Sequence, residues 1–539
     1  MTTLNWIMSE KPSKKDLILD LGCGEASGTI INLVKTKVIS EGFRKMENKP
    51  KVIIIGLDGA TWDLIKPWAE EGRLPTFKYL MENGAWGVLE STIPPLSPSA
   101  WVSIYTGCKP SEHGVFGFLK RKKNSYTYSL ITSKDIKRPT IWTILSEYGK
   151  RVAVINAPFI YPPRHVRGIL ISGFGTPSVN STFTYPPEIK TLILNKYPDY
   201  DVCFNEQLFL LSRKFKELLS KIERVSKAQM QLTLDCIEEK RYDFIFSVFM
   251  TLDVLQHYFI NDKELLLRFY KLFDEMLNDM LKSIDDSTYV VIVSDHGHCR
   301  VNKYFCVNNW LLKLGLLNVK SLSTNKGLNL GKMLRLLTKW KIDRFIFKLT
   351  PILKKWGIFE ILLKIIPTQE YSNTKNIDWK STKAYFYKGS NGIISINLKG
   401  REPAGIVTKE NCREIVEYIV RNLKNVKDPE TSEVIVEKVY TKWDLYQEDN
   451  TQDEEIPEIF FILKKGYEAV EWCENNIDSI FMQPIRHGIL RCGGHTLDGI
   501  FLFYNKNTKL KITKKLRTWD IVPIVLRIFD CERMLKNYI

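Results

Sequence analysis

Four stretches of continuous apolar residues mark the predicted strands of this chain. They are "KVIIIGLDG" from Lys51, "RVAVINAPF" (Arg151–Phe159), "YDFIFSVFMTLD" from Tyr242 and "YVVIVSDHG" from Tyr289. Strands that are apolar on both faces are typical of parallel sheets covered by helices on each side. Amphipathic stretches between them, such as Leu211–Glu239, have the spacing of helices. The pattern predicts a three-layer, doubly wound α/β fold with a mostly parallel sheet.

Residues 1–48 precede the first of these strands and look different. They contain "LILDLGCGEASGTI" (Leu17–Ile30), which resembles the first motif of S-adenosylmethionine-dependent methyltransferases, a strand that enters a glycine-rich turn. A methyltransferase needs several further strands, whereas a different strand begins at Lys51. We therefore interpret residues 1–48 as an N-terminal extension with a methyltransferase-motif-like fragment that has no methyltransferase function.

A second segment, residues 321–370, also interrupts the alternation of strands and helices. It carries Leu, Ile, Phe and Trp at helical spacing together with many cations. Between Lys326 and Pro367 there are ten Lys or Arg residues and two acids, Asp343 and Glu360. The segment is predicted to be a basic, amphipathic helical insertion or cap.

Two interpretations of this basic insertion stay open. It is either an amphipathic cover over the sheet with a solvated basic face, or a surface over residues 321–368 that meets an anionic membrane or a lipid-linked substrate. In both cases it divides the α/β core into a first part, residues 49–320, and a second part, residues 371–539.

The composition is that of a globular protein, with 539 residues, 44% hydrophobic and 26% charged. The net charge of +17 fits nucleic acid, anionic lipid or a phosphorylated substrate as a partner, and it fits a Lys-rich solvated surface equally well. The sequence has no RNP-type or helix-turn-helix signature, so we expect no nucleic-acid partner.

The N-terminus has no apolar segment after a basic start, and no window reaches about 18 uninterrupted apolar residues. We therefore predict a cytoplasmic protein without signal peptide or transmembrane helix, peripheral to a membrane if the basic insertion binds lipid. The ten cysteines include no CxxC pair, which argues against a zinc ribbon or a redox motif. We interpret them as mostly reduced, small core residues.

Three of the predicted strands end in an acid. Asp58 ends "VIIIGLD", Asp253 ends "FIFSVFMTLD", and Asp295 with His296 ends "VVIVSDH". The carboxyl ends of parallel strands share one edge of the sheet, and ligands bind in the crevice there. Carboxylates gathered in a low dielectric repel each other, and a divalent cation relieves the repulsion and takes them as ligands. The pattern predicts a metal site at this edge.

Two further histidines occur in contexts that suit the same site. His257 lies four residues after Asp253, so a helix would place both side chains on one face. His495 lies in "RCGGHTLDGIFLF", a glycine-rich turn that lets the backbone approach other groups closely. Mixed Asp and His ligands suit zinc, with manganese or iron as alternatives.

The segment "STIPPLSPSAWVSIYTGCKPSEHGVFGF" (Ser91–Phe118) supplies a candidate nucleophile. Ser97 or Ser99 could begin a helix as its N-cap, and a helix start also directs backbone N–H groups at an anion. A serine hydroxyl beside a metal ion ionises more readily and attacks phosphorus without a separate general base.

The order and spacing of these segments resemble the alkaline phosphatase superfamily, and most closely its type I phosphodiesterase/nucleotide pyrophosphatase branch. The resemblance covers about Lys51 to Phe503, apart from the basic insertion. The segments that carry it are "GLDGATWD", "LPTFKYLMENGAWG", "TIPPLSPSAWVSIYTGCKPSEHGVFGF", "TLDVLQHYF", "VSDHG" and "GGHTLDGIF". It implies an alkaline phosphatase-like fold and two divalent metal ions roughly 4 Å apart.

Carried over position by position, the resemblance implies two ligand sets and a nucleophile. The set for one ion is Asp253, His257 and His495. The set for the other ion is Asp58, Asp295 and His296, with the nucleophile oxygen joining it. The nucleophile is Ser97, which lies ten residues before Gly107 of "YTGCKPSEHG". Ser99 is the reserve, and the family more often has Thr at this place.

One departure from the family concerns a substrate-binding donor. Nucleotide pyrophosphatases have an Asn three residues after the nucleophile, and here that position is Ala100. His298, Asn302 or Lys303, just after the DHG motif, could supply a replacement, although a surface position is the simpler interpretation of all three. His113 is interpreted as structural. Two more histidines receive no role: His165 and His487.

The activity that the resemblance implies is a two-metal phosphohydrolase with a phosphoserine intermediate. The bond that it cleaves would be a phosphate diester, a pyrophosphate or a monoester, in a small molecule or in a lipid- or glycan-linked phosphate. A phosphotransferase or phosphomutase of the same superfamily is one alternative, because a phosphoenzyme passes phosphate to an alcohol as well as to water. A sulfatase is disfavoured because "SPSAW" lacks the C/S-x-P-x-R arrangement. A basic module that binds membrane or nucleic acid without catalysis is the non-enzymatic alternative.

Overall fold

The computed structural model describes residues 16–19, 51–204, 214–320, 377–446, 455–473, 478–486, 489–512 and 515–531. The predicted basic insertion, His487 and most of the N-terminal extension lie outside these residues. Within the described ranges, no helix is both long enough and apolar enough to cross a membrane.

The strands are short, and most of them are apolar. In chain order they are β1 Asp16–Leu19, β2 Lys51–Leu57, β3 Ala85–Glu90, β4 Leu119–Arg121, β5 Tyr128–Leu130, β6 Val152–Ala157, β7 Gly168–Ser172, β8 Thr184–Tyr185, β9 Phe244–Phe249, β10 Thr288–Val293, β11 Gly297–Cys306, β12 Ala384–Phe386, β13 Ile393–Ile396, β14 Val436–Thr441, β15 Ile459–Leu463, β16 Gly466–Val470, β17 Phe481–Met482, β18 Ile485–Arg486, β19 Ile489–Leu490, β20 Gly493–Thr496, β21 Asp498–Tyr504, β22 Lys509–Ile512 and β23 Leu516–Arg517.

The helices lie mostly between these strands. In chain order they are α1 Trp62–Glu70, α2 Pro75–Asn83, α3 Ser97–Thr106, α4 Pro110–His113, α5 Ile141–Glu147, α6 Ile189–Lys196, α7 Phe215–Glu238, α8 Thr251–Phe259, α9 Lys263–Ser283, α10 Val307–Lys313, α11 Lys409–Leu423, α12 Lys442–Leu445 and α13 Ile521–Ile528.

A nine-stranded sheet in the order β23-β3-β21-β10-β2-β9-β6-β7-β8 forms the centre of the molecule. The five strands β10, β2, β9, β6 and β7 are parallel to one another. The strand β21 is antiparallel to β10 and to β3, and β8 is antiparallel to β7. The predicted, mostly parallel sheet is therefore confirmed, and its antiparallel strands are the internal strand β21 and the edge strand β8.

Helices cover both faces of this sheet, because each central strand is apolar on both sides. In β2, Ile53, Ile55 and Leu57 face a core formed with α1, α2, α7, α8 and α9. Val52 and Ile54, which alternate with them, face a second core formed with α3, α5 and α13. Side chains that alternate along a strand point to opposite faces. The sequence-based prediction of three layers is thus confirmed.

A smaller antiparallel sheet, β12-β13-β15-β14, lies outside the main one. It has a core of its own, to which the helices α10 and α11 contribute Leu311, Val416 and Ile419. The chain then returns to the main sheet through β21 and β23. The described part of the N-terminal extension is β1, which pairs in parallel with β22.

Most of the described cysteines form no disulfide, as predicted, and one pair does. Cys306, the last residue of β11, forms a disulfide with Cys473, 167 residues later. The neighbouring strand β16, three residues before Cys473, runs parallel to β11, so the fold brings the two thiols together across a distance that sequence spacing does not reveal. The other seven described cysteines form no disulfide, as expected.

Candidate metal centre

Three neighbouring parallel strands end at the same edge of the main sheet. The order β10-β2-β9 places them side by side. Asp58 follows β2 directly, Asp295 follows β10 after one residue, and Asp253 lies in the first turn of α8, which continues from β9. All three carboxylates are buried, as the strand-end pattern predicted.

The first group of potential ligands, called here the histidine-rich group, contains Asp253, His257, His298 and His495. One ligand atom from each of the four side chains lies within 4.8 Å of those of the other three. The helix α8 supplies Asp253 and His257. The antiparallel strands β11 and β20 supply His298 and His495, which lie directly opposite each other.

The second group, called here the carboxylate-rich group, contains Asp58, Asp295 and His296, whose ligand atoms also lie within 4.8 Å of one another. The Oγ of Ser97 is 3.1 Å from Nε2 of His296. The two groups adjoin, because the rings of His296 and His495 stack with centroids 3.6 Å apart. The structure therefore brings all seven predicted site residues to one place.

All four imidazoles in these groups are held in the same tautomer. In each, Nδ1 lies 2.9–3.2 Å from a backbone carbonyl oxygen. A carbonyl only accepts hydrogen bonds, so each Nδ1 carries the proton and each Nε2 carries a lone pair. The carbonyls belong to Gly493 for His257, Gly297 for His296, Gly494 for His298 and Pro95 for His495.

These Nε2 lone pairs face other acceptors. The Nε2 of His298 is 3.0 Å from Oδ1 of Asp253, and Nε2 of His495 is 3.2 Å from Nε2 of His257. The Nε2 of His296 is 3.3 Å from Oδ2 of Asp295. Lone pairs that converge without a proton between them repel, whereas a cation placed among them is attracted by all of them.

The buried carboxylates of the site also repel one another. Burial raises the pKa of Asp58 well above its usual value, and the carboxylates of Asp295 and Asp253 raise it further. Burial and Asp253 likewise raise the pKa of Asp295. In the described part of the chain, Oδ1 of Asp58 and Oδ2 of Asp295 accept no hydrogen bond although both are buried. The residues thus fit divalent cations, which would neutralise these charges.

The histidines are set to bind as neutral ligands. Burial lowers the pKa of His257, His296 and His298 well below the usual value. It lowers the pKa of His495 to about 4. Neutral imidazole is the form that binds a metal ion, so these rings need to lose no proton on binding at neutral pH.

Contacts outside the two groups fix the ligands in place. The indole Nε1 of Trp101 donates to Oδ2 of Asp58 over 2.6 Å. The other oxygen, Oδ1, then faces the remaining members of the carboxylate-rich group. The amide of Gln256 donates to the carbonyl of Gly59 over 2.7 Å. Such outer contacts orient ligands and raise metal affinity.

Two glycines allow the paired strands β11 and β20 to lie close to α8. A Cβ on Gly493 would lie 2.1 Å from the carbonyl oxygen of Gln256 in α8, and a Cβ on Gly494 would lie 2.5 Å from Val301. Larger residues would therefore push His495 away from α8. This is the close approach that the glycine-rich turn predicted.

The structure treats the two candidate serines differently. Ser97 begins α3, and its hydroxyl faces the carboxylate-rich group through His296. The hydroxyl of Ser99 is instead bonded to Oγ1 of Thr92, at 2.9 Å, and to the carbonyl of Leu96, at 3.1 Å. Ser97 is thus the serine that lies at the ligands.

The three candidate donors near the DHG motif, His298, Asn302 and Lys303, have different surroundings. The surface interpretation is wrong for His298, which is buried in the histidine-rich group. Asn302 is exposed. Lys303 forms ion pairs with Asp428, at 2.8 Å, and with Glu430, at 2.6 Å.

The remaining described histidines lie outside both groups. The buried ring of His113 has Nε2 3.0 Å from Oγ of Ser103 in α3, and its Nδ1 accepts from the N–H of Val115. His165 is exposed, with its ring centroid 4.9 Å from that of Tyr185.

Sequence reasoning missed His298 as a ligand and did not consider Arg491. His298 had a signal, because it lies two residues after His296 and residues two apart share a face of an extended chain. Arg491 gave no such signal. Its Nη2 lies 2.8 Å from Nε2 of His257, a contact that depends on the packing of β20 against α8.

The fold and the site together define a hydrolase of the alkaline phosphatase superfamily, with two groups of Asp and His residues that are able to hold divalent cations at the carboxyl edge of its α/β sheet. More narrowly, the chain belongs to the type I phosphodiesterase/nucleotide pyrophosphatase family, whose model matches residues 52–355. Membership of this family indicates an enzyme that hydrolyses phosphate esters.

Two solved structures show the same fold at low sequence identity, and a third has a lower TM-score. Phosphonoacetate hydrolase from Sinorhizobium meliloti 1021 in complex with phosphonoformate has a TM-score of 0.55 and 16% identity, over 90% of this chain and 96% of that chain. Its complex with phosphonoacetate has a TM-score of 0.55 and 15% identity over the same shares. Murine ectonucleotide pyrophosphatase/phosphodiesterase 5, in an inactive form with AMP, has a TM-score of 0.48 and 11% identity, over 89% and 95%. No curated protein matches this chain.

Proposed function

We propose that this protein hydrolyses phosphodiester, pyrophosphate or phosphomonoester bonds of a small molecule through a phosphoserine intermediate at Ser97. The observation that carries the proposal is the position of the Ser97 hydroxyl, 3.1 Å from Nε2 of His296. It lies beside a group in which two buried oxygens, Oδ1 of Asp58 and Oδ2 of Asp295, lack partners among the described residues. A nucleophile at this place lies at the edge of the sheet where family members act.

Two divalent cations would be held by the two groups. The carboxylate-rich group offers Asp58, Asp295 and His296, and the Ser97 oxygen completes it. The histidine-rich group offers three imidazoles and one carboxylate, a donor set that suits zinc. Bound cations would lower the pKa of a coordinated hydroxyl and neutralise charge on the phosphoryl oxygens.

The protein's own residues then determine the course of the reaction. In the first step the Oγ of Ser97 bonds to phosphorus, and the bond from phosphorus to the leaving oxygen breaks. The Ser97 proton passes to solvent, and the leaving oxygen takes one from water. In the second step water attacks the phosphoserine and releases phosphate or its monoester. Because Ser97 begins α3, the positive end of the helix dipole favours its anionic form.

Replacement of Ser97 tests this proposal. Ser97→Ala is expected to lower hydrolysis of chromogenic phosphate mono- and diesters by about 10³-fold or more, as for other nucleophile knockouts. Bound metal, measured by elemental analysis of the purified chain, should stay unchanged. The wild-type protein incubated with substrate and quenched in acid should carry phosphate on Ser97, as detected by mass spectrometry.

Ser99→Ala is the matched control, because it removes a serine hydroxyl two residues away in the same helix. It should retain activity within a few-fold. The proposal fails if Ser97→Ala keeps the full rate, or if Ser99→Ala loses activity while Ser97→Ala does not.

A further inference from the structure

Arg491 places a partly buried positive charge against the histidine-rich group. Its Nη2 is 2.8 Å from Nε2 of His257, and its Nη1 is 3.6 Å from Oε1 of Glu468. The side chain is 18% exposed. It is thus a cation at the site that neither of the ligand sets includes.

The backbone of this residue is held on both sides. The N–H of Arg491 donates to the carbonyl of Pro484 over 2.8 Å, and its carbonyl accepts from the hydroxyl of Tyr304 over 2.9 Å. Although burial opposes the charge of the guanidinium, the carboxylate of Glu468 raises the pKa of Arg491 above its usual value. The guanidinium is therefore a fixed cation at neutral pH.

The contact with His257 concerns the lone pair that would bind an ion. A guanidinium has five N–H donors and no acceptor, so Arg491 donates to Nε2 of His257. A guanidinium and a metal ion, both positive, do not share one lone pair. When an ion binds to the histidine-rich group, this N–H group of Arg491 is therefore free for another acceptor. The planar fork of a guanidinium matches carboxylate and phosphate oxygens.

The position of Arg491 relative to Ser97 indicates which part of a substrate it meets. In a two-metal displacement, one ion serves the attacking oxygen and the other serves the leaving oxygen. Ser97 lies at the carboxylate-rich group, so the histidine-rich group and Arg491 lie on the side of the leaving group. Position 100, where the family has an Asn, is the apolar Ala100.

We propose that Arg491 determines substrate specificity by binding an anionic group, a phosphate or a carboxylate, on the leaving portion of the substrate. The inference rests on the proposed hydrolysis through Ser97. It deepens that function by assigning the class of substrate, in which the leaving portion carries a second negative charge.

A pair of matched substrates tests this inference on the full chain loaded with zinc. Methyl 4-carboxyphenyl phosphate and methyl 4-carbamoylphenyl phosphate have leaving groups of the same shape, one anionic and one neutral. The wild-type protein is expected to prefer the carboxylate by about 10- to 100-fold in kcat/KM, the usual size of a charged hydrogen bond. In Arg491→Gln the ratio should fall to about 1, and Arg491→Lys should keep part of it.

Two readouts do not depend on turnover. Calorimetry should show that 4-hydroxybenzoate binds the zinc-loaded wild-type protein more tightly than 4-hydroxybenzamide does, and that Arg491→Gln loses this difference. Zinc per chain should be the same in all variants. Arg300→Gln is the charge-matched control, because Arg300 is exposed and lies in β11 opposite Gly493, which is two residues after Arg491. It should keep the wild-type preference.

Several results would overturn the inference. An equal loss on both substrates in Arg491→Gln would mean that Arg491 binds the transferred phosphoryl group. A loss of zinc would mean that it only orients His257. Equal cleavage of both esters by the wild-type protein, or loss of the preference in Arg300→Gln, would also contradict it. A wild-type protein that cleaves neither ester would instead overturn the proposed hydrolysis, and this inference with it. If Arg491→Gln does not fold, Arg491→Lys and calorimetry of the wild-type protein still decide.

Discussion

The two ligand groups at the sheet edge differ in chemistry and in the way the chain builds them. The carboxylate-rich group offers two acids and one imidazole, and the Ser97 hydroxyl lies beside it. The histidine-rich group offers one acid and three imidazoles, which already make four protein ligands. Catalytic zinc sites keep a position open for the reacting oxygen, whereas four protein ligands complete a tetrahedral shell.

This difference indicates that the two groups have different functions in the reaction. An ion in the carboxylate-rich group would have room for the nucleophile, and an ion in the histidine-rich group would have to expand its coordination to accept a leaving oxygen. An ion with four protein ligands has little room to contact an anion of the substrate. The nearby positive charge of Arg491 can supply that contact instead. The comparison teaches that the two groups are not interchangeable.

The largest effect is expected from the carboxylate-rich group. Asp295→Asn removes one of its two charges, and the amide nitrogen would direct protons at Nε2 of His296. We expect the loss of one of two bound ions and a fall in hydrolysis of more than about 100-fold, because loss of an outer contact alone costs 10- to 100-fold. Elemental analysis and steady-state kinetics measure the two effects.

Asp286→Asn is the matched control for this change, since Asp286 is exposed and its carboxylate pairs with Lys506. It should leave both readings unchanged. Two bound ions in Asp295→Asn would contradict the assignment of Asp295 as a ligand.

A smaller effect is expected from the histidine-rich group. His298→Gln removes one of four ligands, so the remaining three still hold the ion. We expect the affinity for zinc to fall about 10- to 100-fold, with most of the hydrolysis rate recovered at saturating zinc. Competition titration with a coloured chelator measures the affinity.

His165→Gln serves as the control here, because His165 is an exposed histidine outside both groups. It should bind zinc as the wild-type protein does. An activity that saturating zinc does not restore in His298→Gln would show that the two groups are equally sensitive, against the comparison.

The smallest effect concerns a buried histidine outside the groups. Burial lowers the pKa of His113 to about 3, from a usual value of 6.5. Between these values the unfolded chain takes up a proton that the folded chain does not. His113 therefore lowers the free energy of unfolding as the pH falls from 6.5 towards 3, by about 1.4 kcal/mol per pH unit at most, and has no effect above 6.5.

Urea unfolding of the wild-type protein and of His113→Asn between pH 7 and pH 4 measures this difference. The variant should show the shallower fall of stability, and zinc or a chelator should not alter the difference between the two proteins. Both ring nitrogens of His113 have hydrogen-bond partners in the protein, and His113 belongs to neither ligand group. A difference that vanished on addition of zinc would place His113 within the metal centre.

The sequence alone determined the layered fold and six of the seven residues that form the two groups. Continuous apolar strands require helices on both faces, and parallel strands bring Asp58, Asp253 and Asp295 to one edge whatever the loops do. The helical spacing of Asp253 and His257 and the glycines before His495 also depend on local geometry. These features can be predicted from the sequence because each depends on the repeat spacing of one helix or strand, or on the point where it ends.

The tertiary structure decided what depends on distant pieces of chain. His298 and Arg491 reach the site because β11 pairs with β20 and because Gly493 lets β20 contact α8. The choice between Ser97 and Ser99 depends on which hydroxyl Thr92 and Leu96 engage, and the Cys306–Cys473 disulfide depends on the pairing of β11 with β16. Contacts of this kind are set by packing between elements, and no period in the sequence encodes them.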